Sequence, residues 1–181
     1  VKRLTCGLLR AKNDYVFAQN DYDLGFCEIF RSIDAIIRTS KKGRRCMVYY
    51  TGDIHGNAKA IVAFAQYFEL TESDTIVILG DVGANYYGNR RDRYCKDALA
   101  RIKPTVFCIH GNHERRPDTL TGYKQKEWNS GLVWYEDEYP NLLFARDGDI
   151  FTMEGTRHLV IGGAYSVDKY YRLENDLLWF A

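Results

Sequence analysis

Three apolar runs, at residues 47–51, 75–79 and 104–109, each break off at a glycine and an Asp or Asn, and this repeated punctuation restricts the fold more than any other feature. The first ends in Gly52-Asp53, the second in Gly80-Asp81, and the third passes through His110 into Gly111-Asn112. Continuous apolar runs of this length, with β-branched content, suit strands covered on both faces. From Asp53 to Asp81 and from Asp81 to Asn112 the chain runs about 30 residues, the length of one β-α-β crossover. Successive crossovers of one hand bring the ends of parallel strands to one edge of one sheet. The expected fold class is therefore α/β, with the polar clusters gathered at that edge.

The intervening stretches support helices. Asn57 is placed to cap a helix with apolar positions Ile61, Val62, Phe64, Ala65 and Phe68, and a second helix is predicted over 91–103. Beyond residue 117 the pattern becomes strand-rich, with strands expected at 132–135, 142–145, 150–153 and 158–161. Asp147-Gly148 reads as a hairpin turn between two of them. An aromatic, helix-like stretch follows at 168–180. Near the start, residues 24–38 read as a short amphipathic helix, followed by a basic linker.

Hydrophobic residues make up 46% of the 181 and charged residues 27%, the balance of a globular chain rather than a disordered one. The 14 tyrosines are read as core and edge-strand filler. Net charge is +1, which favours neither nucleic acid nor an acidic partner, but its distribution is uneven. Residues 1–46 carry ten Lys and Arg against five Asp and Glu, whereas the remainder carries fifteen against nineteen. That change of sign, at the point where the pattern also changes, divides the chain into a basic N-terminal appendage (1–46) and a domain starting at Met47. Lys42-Gly43-Arg44-Arg45 is encodable by a purine-rich, ribosome-binding-like string, so translated upstream sequence is one reading of the appendage, and a partner-docking module is the other. Five scattered cysteines without a CxxC pair suit a reducing compartment. No apolar run approaches the ~20 residues that span a bilayer, and no signal peptide is recognisable, so a cytoplasmic location is expected.

The three strand ends, Gly52-Asp53-Ile54-His55-Gly56, Gly80-Asp81 and Gly111-Asn112-His113-Glu114, hold the residue types that bind divalent metals. A carboxylate and an imidazole two residues apart can share one ion, an aspartate can bridge two, and an amide oxygen can complete the second. An isolated Gly-Asp after a strand is usually only a turn; the joint occurrence of all three clusters is what points to a site. His110 and His158, each beside apolar sequence, are read as structural.

This set, GDIHG, GD and GNHE over roughly residues 47–165, resembles the calcineurin-like metallophosphoesterase family, including its bacterial and phage phosphatases. The resemblance implies an α-β-β-α sandwich and a metal-dependent phosphoester hydrolase using a metal-bound hydroxide. It assigns Asp53 and His55 to one ion, Asp81 to a bridge, and Asn112 to the second ion and the phosphate. His113 becomes the general acid for the leaving oxygen. Two divalent ions are implied, with Mn, Fe and Zn all compatible.

Two departures qualify the match. Many relatives continue the second motif as GDxxDRG, but here Gly80-Asp81-Val82-Gly83-Ala84-Asn85 lacks that acid and arginine. Asn85 and Arg115 are the expected substitutes as phosphate contacts, with Arg116 beside them. The family also supplies further histidine ligands downstream, and this chain has none after His158. The second half of the sandwich is therefore expected to be incomplete, as in a product truncated at its C-terminus, with the site impaired or closed by another chain. The alternative function is a non-catalytic partner- or nucleic-acid-binding protein on a degenerate version of the fold. Specificity is expected from residues 86–93 and 122–140, the latter rich in Tyr and Trp.

Overall fold

The computed structural model describes residues 15–16, 46–163, 167 and 169–177. The helix expected at 24–38 and its linker lie outside the described residues.

In chain order the strands are β1 (Tyr15–Val16), β2 (Val48–Thr51), β3 (Thr75–Leu79), β4 (Thr105–Ile109), β5 (Lys124–Trp128), β6 (Gly131–Tyr135), β7 (Leu142–Ala145), β8 (Ile150–Met153) and β9 (Thr156–Leu159). The helices are α1 (Lys59–Tyr67), α2 (Arg90–Ala100) and α3 (Lys169–Glu174), with a 3-10 turn at Pro117–Thr119. The large sheet has the order β1-β2-β3-β4-β7-β6-β5. Every pairing from β1 to β7 is parallel, and β6 alone runs against its neighbours. The α/β class read from the three apolar runs is the one found.

Strand alternation sorts the side chains between two cores. Tyr49, Ile76, Ile78, Val106, Cys108, Leu142 and Phe144 share one cluster with Ile61, Phe64 and Ala65 of α1 and Cys95 and Leu99 of α2. Val48, Val77, Phe107, Val133, Leu143 and Ala145 share the other with Phe151, Met153 and Val160 around the β8–β9 ribbon. Helices thus cover one face and a two-stranded antiparallel sheet covers the other. Phe107 and Phe151 meet edge-to-face at 4.8 Å across this second interface, both fully buried. Among the described residues α3 buries no side chain.

Both crossover helices have identifiable ends. Asn57, the expected cap of α1, stands one position early; Ala58 occupies the cap, and Asn57 Oδ1 accepts from Lys59 N at 3.4 Å. α1 stops in a Schellman arrangement, with Leu70 N donating to Ala65 O and Glu69 N to Gln66 O around a left-handed Glu69. Asn89 caps α2, accepting from Arg91 N at 2.9 Å, and Asp92 adds negative charge to the first turn.

Two sequence expectations are corrected. Asp147-Gly148 is not a hairpin turn, because β7 and β8 belong to different sheets and the segment carries the chain from one to the other. The hairpins are at Asn129-Ser130 (φ 48 and 74) and Glu154-Gly155 (φ 48 and 76), whose paired positive φ values match the type I′ turn that follows strand twist. Residues 124–128 form a strand that the sequence pattern does not announce.

Candidate metal and phosphate site

The carboxyl ends of β2, β3 and β4 converge as the spacing predicts, and backbone hydrogen bonds lace their loops together. Asp53 N donates to Gly80 O (3.3 Å), His55 N to Asp81 O (2.8 Å) and Gly56 N to Val82 O (2.8 Å). His113 N donates to Asp81 Oδ1 at 2.9 Å, tying the third loop to the central carboxylate. Asp53, His55 and Asp81 all adopt left-handed backbone, with φ of 50, 44 and 46. Such conformations cost about 1–2 kcal/mol each in an L-residue and collect where function over-determines the geometry. Here the strained residues are three of the four expected metal ligands.

Gly111 explains how close the loops come. A Cβ there would stand 2.1 Å from Asp81 Oδ1 and 2.2 Å from Asp81 N, so any side chain would displace the carboxylate or its backbone. The glycine before Asn112 is thus a condition for the site as well as part of a turn.

The side chains fall into two overlapping groups around Asp81. His55, Asp81 and His113 present ligand atoms within 4.8 Å of one another. Donors at about 2.0–2.2 Å from a single ion lie up to about 4 Å apart, so this trio needs little closure to share one. Asp53 stands outside the trio. With Asn112 it lines an adjoining cavity of about 190 Å³, whose walls also include Asp81, His110, Gly111 and Gly163. The Asn112 Nδ2 is buried without a hydrogen-bond partner. A carboxylate flanked by imidazoles and a glycine cradle fit a divalent cation, and the unmatched amide N–H of Asn112 fits the oxygen of an anion.

Asn85 is 3% exposed; its Oδ1 accepts from the Tyr123 hydroxyl at 2.9 Å, and its carbonyl from Arg115 N at 3.0 Å. It therefore supports the loop that follows His113. The Arg115 guanidinium lies beside the turn at Gly88. Arg116 forms an ion pair with Asp147.

Three further residues border the site: His110, read from the sequence as structural, Glu114 of the GNHE cluster, and Tyr86 of the 86–93 loop. His110 is 6% exposed and lines the cavity, with its Nε2 buried and unpartnered. Burial, and then the Arg116 guanidinium, push its pKa down to about 4, which keeps the ring neutral near pH 7. Glu114 is 1% exposed, with Oε1 accepting from Gly111 N at 3.0 Å. Burial pushes its pKa up to about 7, against the opposing pull of the Gly111, Val82 and Gly83 amides. Tyr86 places its ring 6.3 Å from that of His113, and its hydroxyl accepts from Arg172 of α3 at 3.3 Å. Glu114 belongs to the GNHE cluster, but its burial, like the placement of His110 and Tyr86, comes from the fold. His158 does not line the cavity; its Nε2 lies 2.9 Å from the Tyr50 hydroxyl.

A sequence profile of the calcineurin-like phosphoesterases matches residues 47–181, and the chain belongs to that family. The family is one of hydrolases that bind divalent metals. No curated protein and no solved structure matches the chain. Among the described residues, no helix is long and apolar enough to cross a membrane.

Proposed function

We propose that this chain hydrolyses phosphoesters with divalent metal ions held at the carboxyl edge of β2, β3 and β4. The reading is carried by one observation above the others: on three strand loops bonded to each other, His55 and Asp81 present ligand atoms within 4.8 Å of one another, and the His113 imidazole stands equally close, in place for the proton of a departing oxygen. Asp53, His55 and Asp81 would hold one ion, and Asp81 with Asn112 a second. Bound ions supply Lewis acidity that polarises a phosphoryl group and acidifies water.

The protein's own groups do the positioning. The His113 N–H fixes one oxygen of Asp81, so the carboxylate is oriented before any ligand arrives. Asn112, with its unmatched amide nitrogen, is assigned to the phosphate, together with Arg115 and, beneath them, Asn85. The half-buried imidazole of His113 is assigned the proton for the departing oxygen, the general-acid task that histidine performs most often. The buried, neutral His110 closes the inner wall without adding charge.

Mn²⁺-dependent hydrolysis of p-nitrophenyl phosphate, abolished in Asp81→Asn, is the expected result. Turnover that ignores metal would overturn the metal-dependent reading, and no turnover at millimolar Mn²⁺ would overturn it in favour of a non-catalytic binding role.

A further inference from the structure

A second cavity, of about 330 Å³, opens beside the first at the same sheet edge. Its walls come from the segment after Asn112 (Arg116, Pro117 and Asp118), from β5 and β6 (Gln125 and Trp134) and from the end of β7 (Ala145 to Asp147). His110 lines both cavities, which places the second directly beside the one that holds Asp81. The volume falls at the lower end of the ~300–1,000 Å³ found for small-molecule sites.

The walls are selective in character. Gln125 and Trp134 are register partners across β5 and β6, so their side chains lie next to each other on one face. A half-buried indole beside an exposed carboxamide combines an aromatic surface with both a donor and an acceptor. His110, whose Nε2 is buried without a partner, stands at the boundary between the two cavities. Charge excludes one class of occupant. Arg116 is paired with Asp147, and Arg146 Nε lies 3.5 Å from Asp149, while Asp118 adds a negative charge to the rim. A second phosphate or an acidic peptide would find no net positive field here.

We infer that this cavity takes the leaving group of the phosphoester and that the group is a nucleoside, its base lying against Trp134 with its polar edge toward Gln125. The inference rests on the phosphoester-hydrolase reading for its chemistry, but the cavity can be tested without it.

Two measurements separate the claims. The first compares kcat/KM for adenosine 5′-monophosphate and for glycerol 3-phosphate with Mn²⁺, in the wild type, Gln125→Ala and Trp134→Leu. The nucleotide is expected to lead by about tenfold or more, the scale of one base stacked on an aromatic ring, and each variant is expected to shrink that ratio mainly through KM. Equal use of the two substrates, or a ratio unchanged in both variants, would overturn the inference. A 5′-phosphorylated dinucleotide run alongside distinguishes a strand end from a free nucleotide; preference for either over glycerol phosphate supports the cavity.

The second measurement needs no turnover. Adenosine is titrated into the protein while tryptophan fluorescence is followed. Saturable quenching that weakens in Gln125→Ala and disappears in Trp134→Leu is expected; no saturable change in the wild type overturns the inference. If p-nitrophenyl phosphate is not hydrolysed, the hydrolase reading fails, while this titration still judges the cavity. Gln125 is exposed, so its substitution keeps the test independent of any folding defect in Trp134→Leu.

Discussion

Replacing Gly111 by alanine inserts one carbon into the tightest contact of the site. That carbon would lie 2.2 Å from Asp81 N and 2.1 Å from its carboxylate oxygen, where ordinary contacts begin near 3.4 Å. The third loop must retreat from the second by about 1 Å, or Asp81 must leave its left-handed conformation, and both break the bond from His113 N. Overpacking of this kind costs about 1–3 kcal/mol. At about 2–4 °C per kcal/mol for a chain of this size, the metal-free midpoint should fall by about 2–12 °C. Gly52→Ala is the matched control. Its Cβ would meet only Leu79 O at 3.6 Å and Leu79 Cβ at 3.8 Å, so the same chemical change should be neutral or stabilising by up to about 1 kcal/mol. Thermal unfolding is then repeated with Mn²⁺. A ligand at a hundred times its Kd adds about 2.7 kcal/mol, a rise of about 5–11 °C. Wild type and Gly52→Ala should show that rise, and Gly111→Ala should not. A Gly111→Ala protein with the wild-type midpoint and the wild-type Mn²⁺ response would refute the reasoning.

Other consequences follow from the same geometry. In metal-free protein, Glu114, raised to about 7 from 4.5, contributes stability that is full below the lower value and lost as pH rises through the upper one. His110, lowered to about 4 from 6.5, contributes stability that is full above 6.5 and lost as pH falls through 4. Relative to wild type, the midpoint of Glu114→Gln should therefore gain as pH is raised from about 5 to 7, and that of His110→Gln should fall behind over a similar range; parallel pH profiles would contradict both assignments. His113→Gln should lower kcat by about 10²–10⁴-fold with little change in Mn²⁺ affinity, and a collapse of that affinity would make His113 a ligand instead of the acid. Phe151→Ala should cost about 3–5 kcal/mol in urea unfolding, because its ring joins the β8–β9 ribbon to Phe107; a loss under 1 kcal/mol would show that this interface contributes little.

The parts of the fold legible in the sequence are those where burial is two-sided. β3 is an uninterrupted Thr-Ile-Val-Ile-Leu run because helices cover one face and the ribbon the other, and β2 and β4 follow the same logic. β5 escaped because Lys-Gln-Lys-Glu-Trp lies at the sheet edge, where only Lys126 and Trp128 are even half-buried and charge blocks further pairing. The Asp147-Gly148 segment misled because a turn-forming pair does not reveal whether its flanking strands share a sheet. Tertiary bonds decide that: Asp147 Oδ1 accepts from Gly162 N, and Asp149 Oδ2 from Leu132 N, fastening the segment across the junction.

The site was legible to the same degree. Asp53, His55, Asp81, Asn112 and His113 each follow a recognisable strand, so chain order alone carries them to one edge. The pairing of His113 with His55 and Asp81, the separation of Asp53 from that trio, and the buried Glu114 and His110 depend on how the loops cross. Strand spacing can place a loop, but it cannot set the contact between Gly111 and Asp81 that brings two loops together.

The central claim is that three strand loops form a metal site around Asp81. Titrating Mn²⁺ into the wild type and Asp81→Asn, with free ion followed by electron paramagnetic resonance, tests it most directly. Saturable binding by the wild type that is lost or strongly weakened in Asp81→Asn is the predicted result. No binding by the wild type, or equal binding by both proteins, would contradict the account.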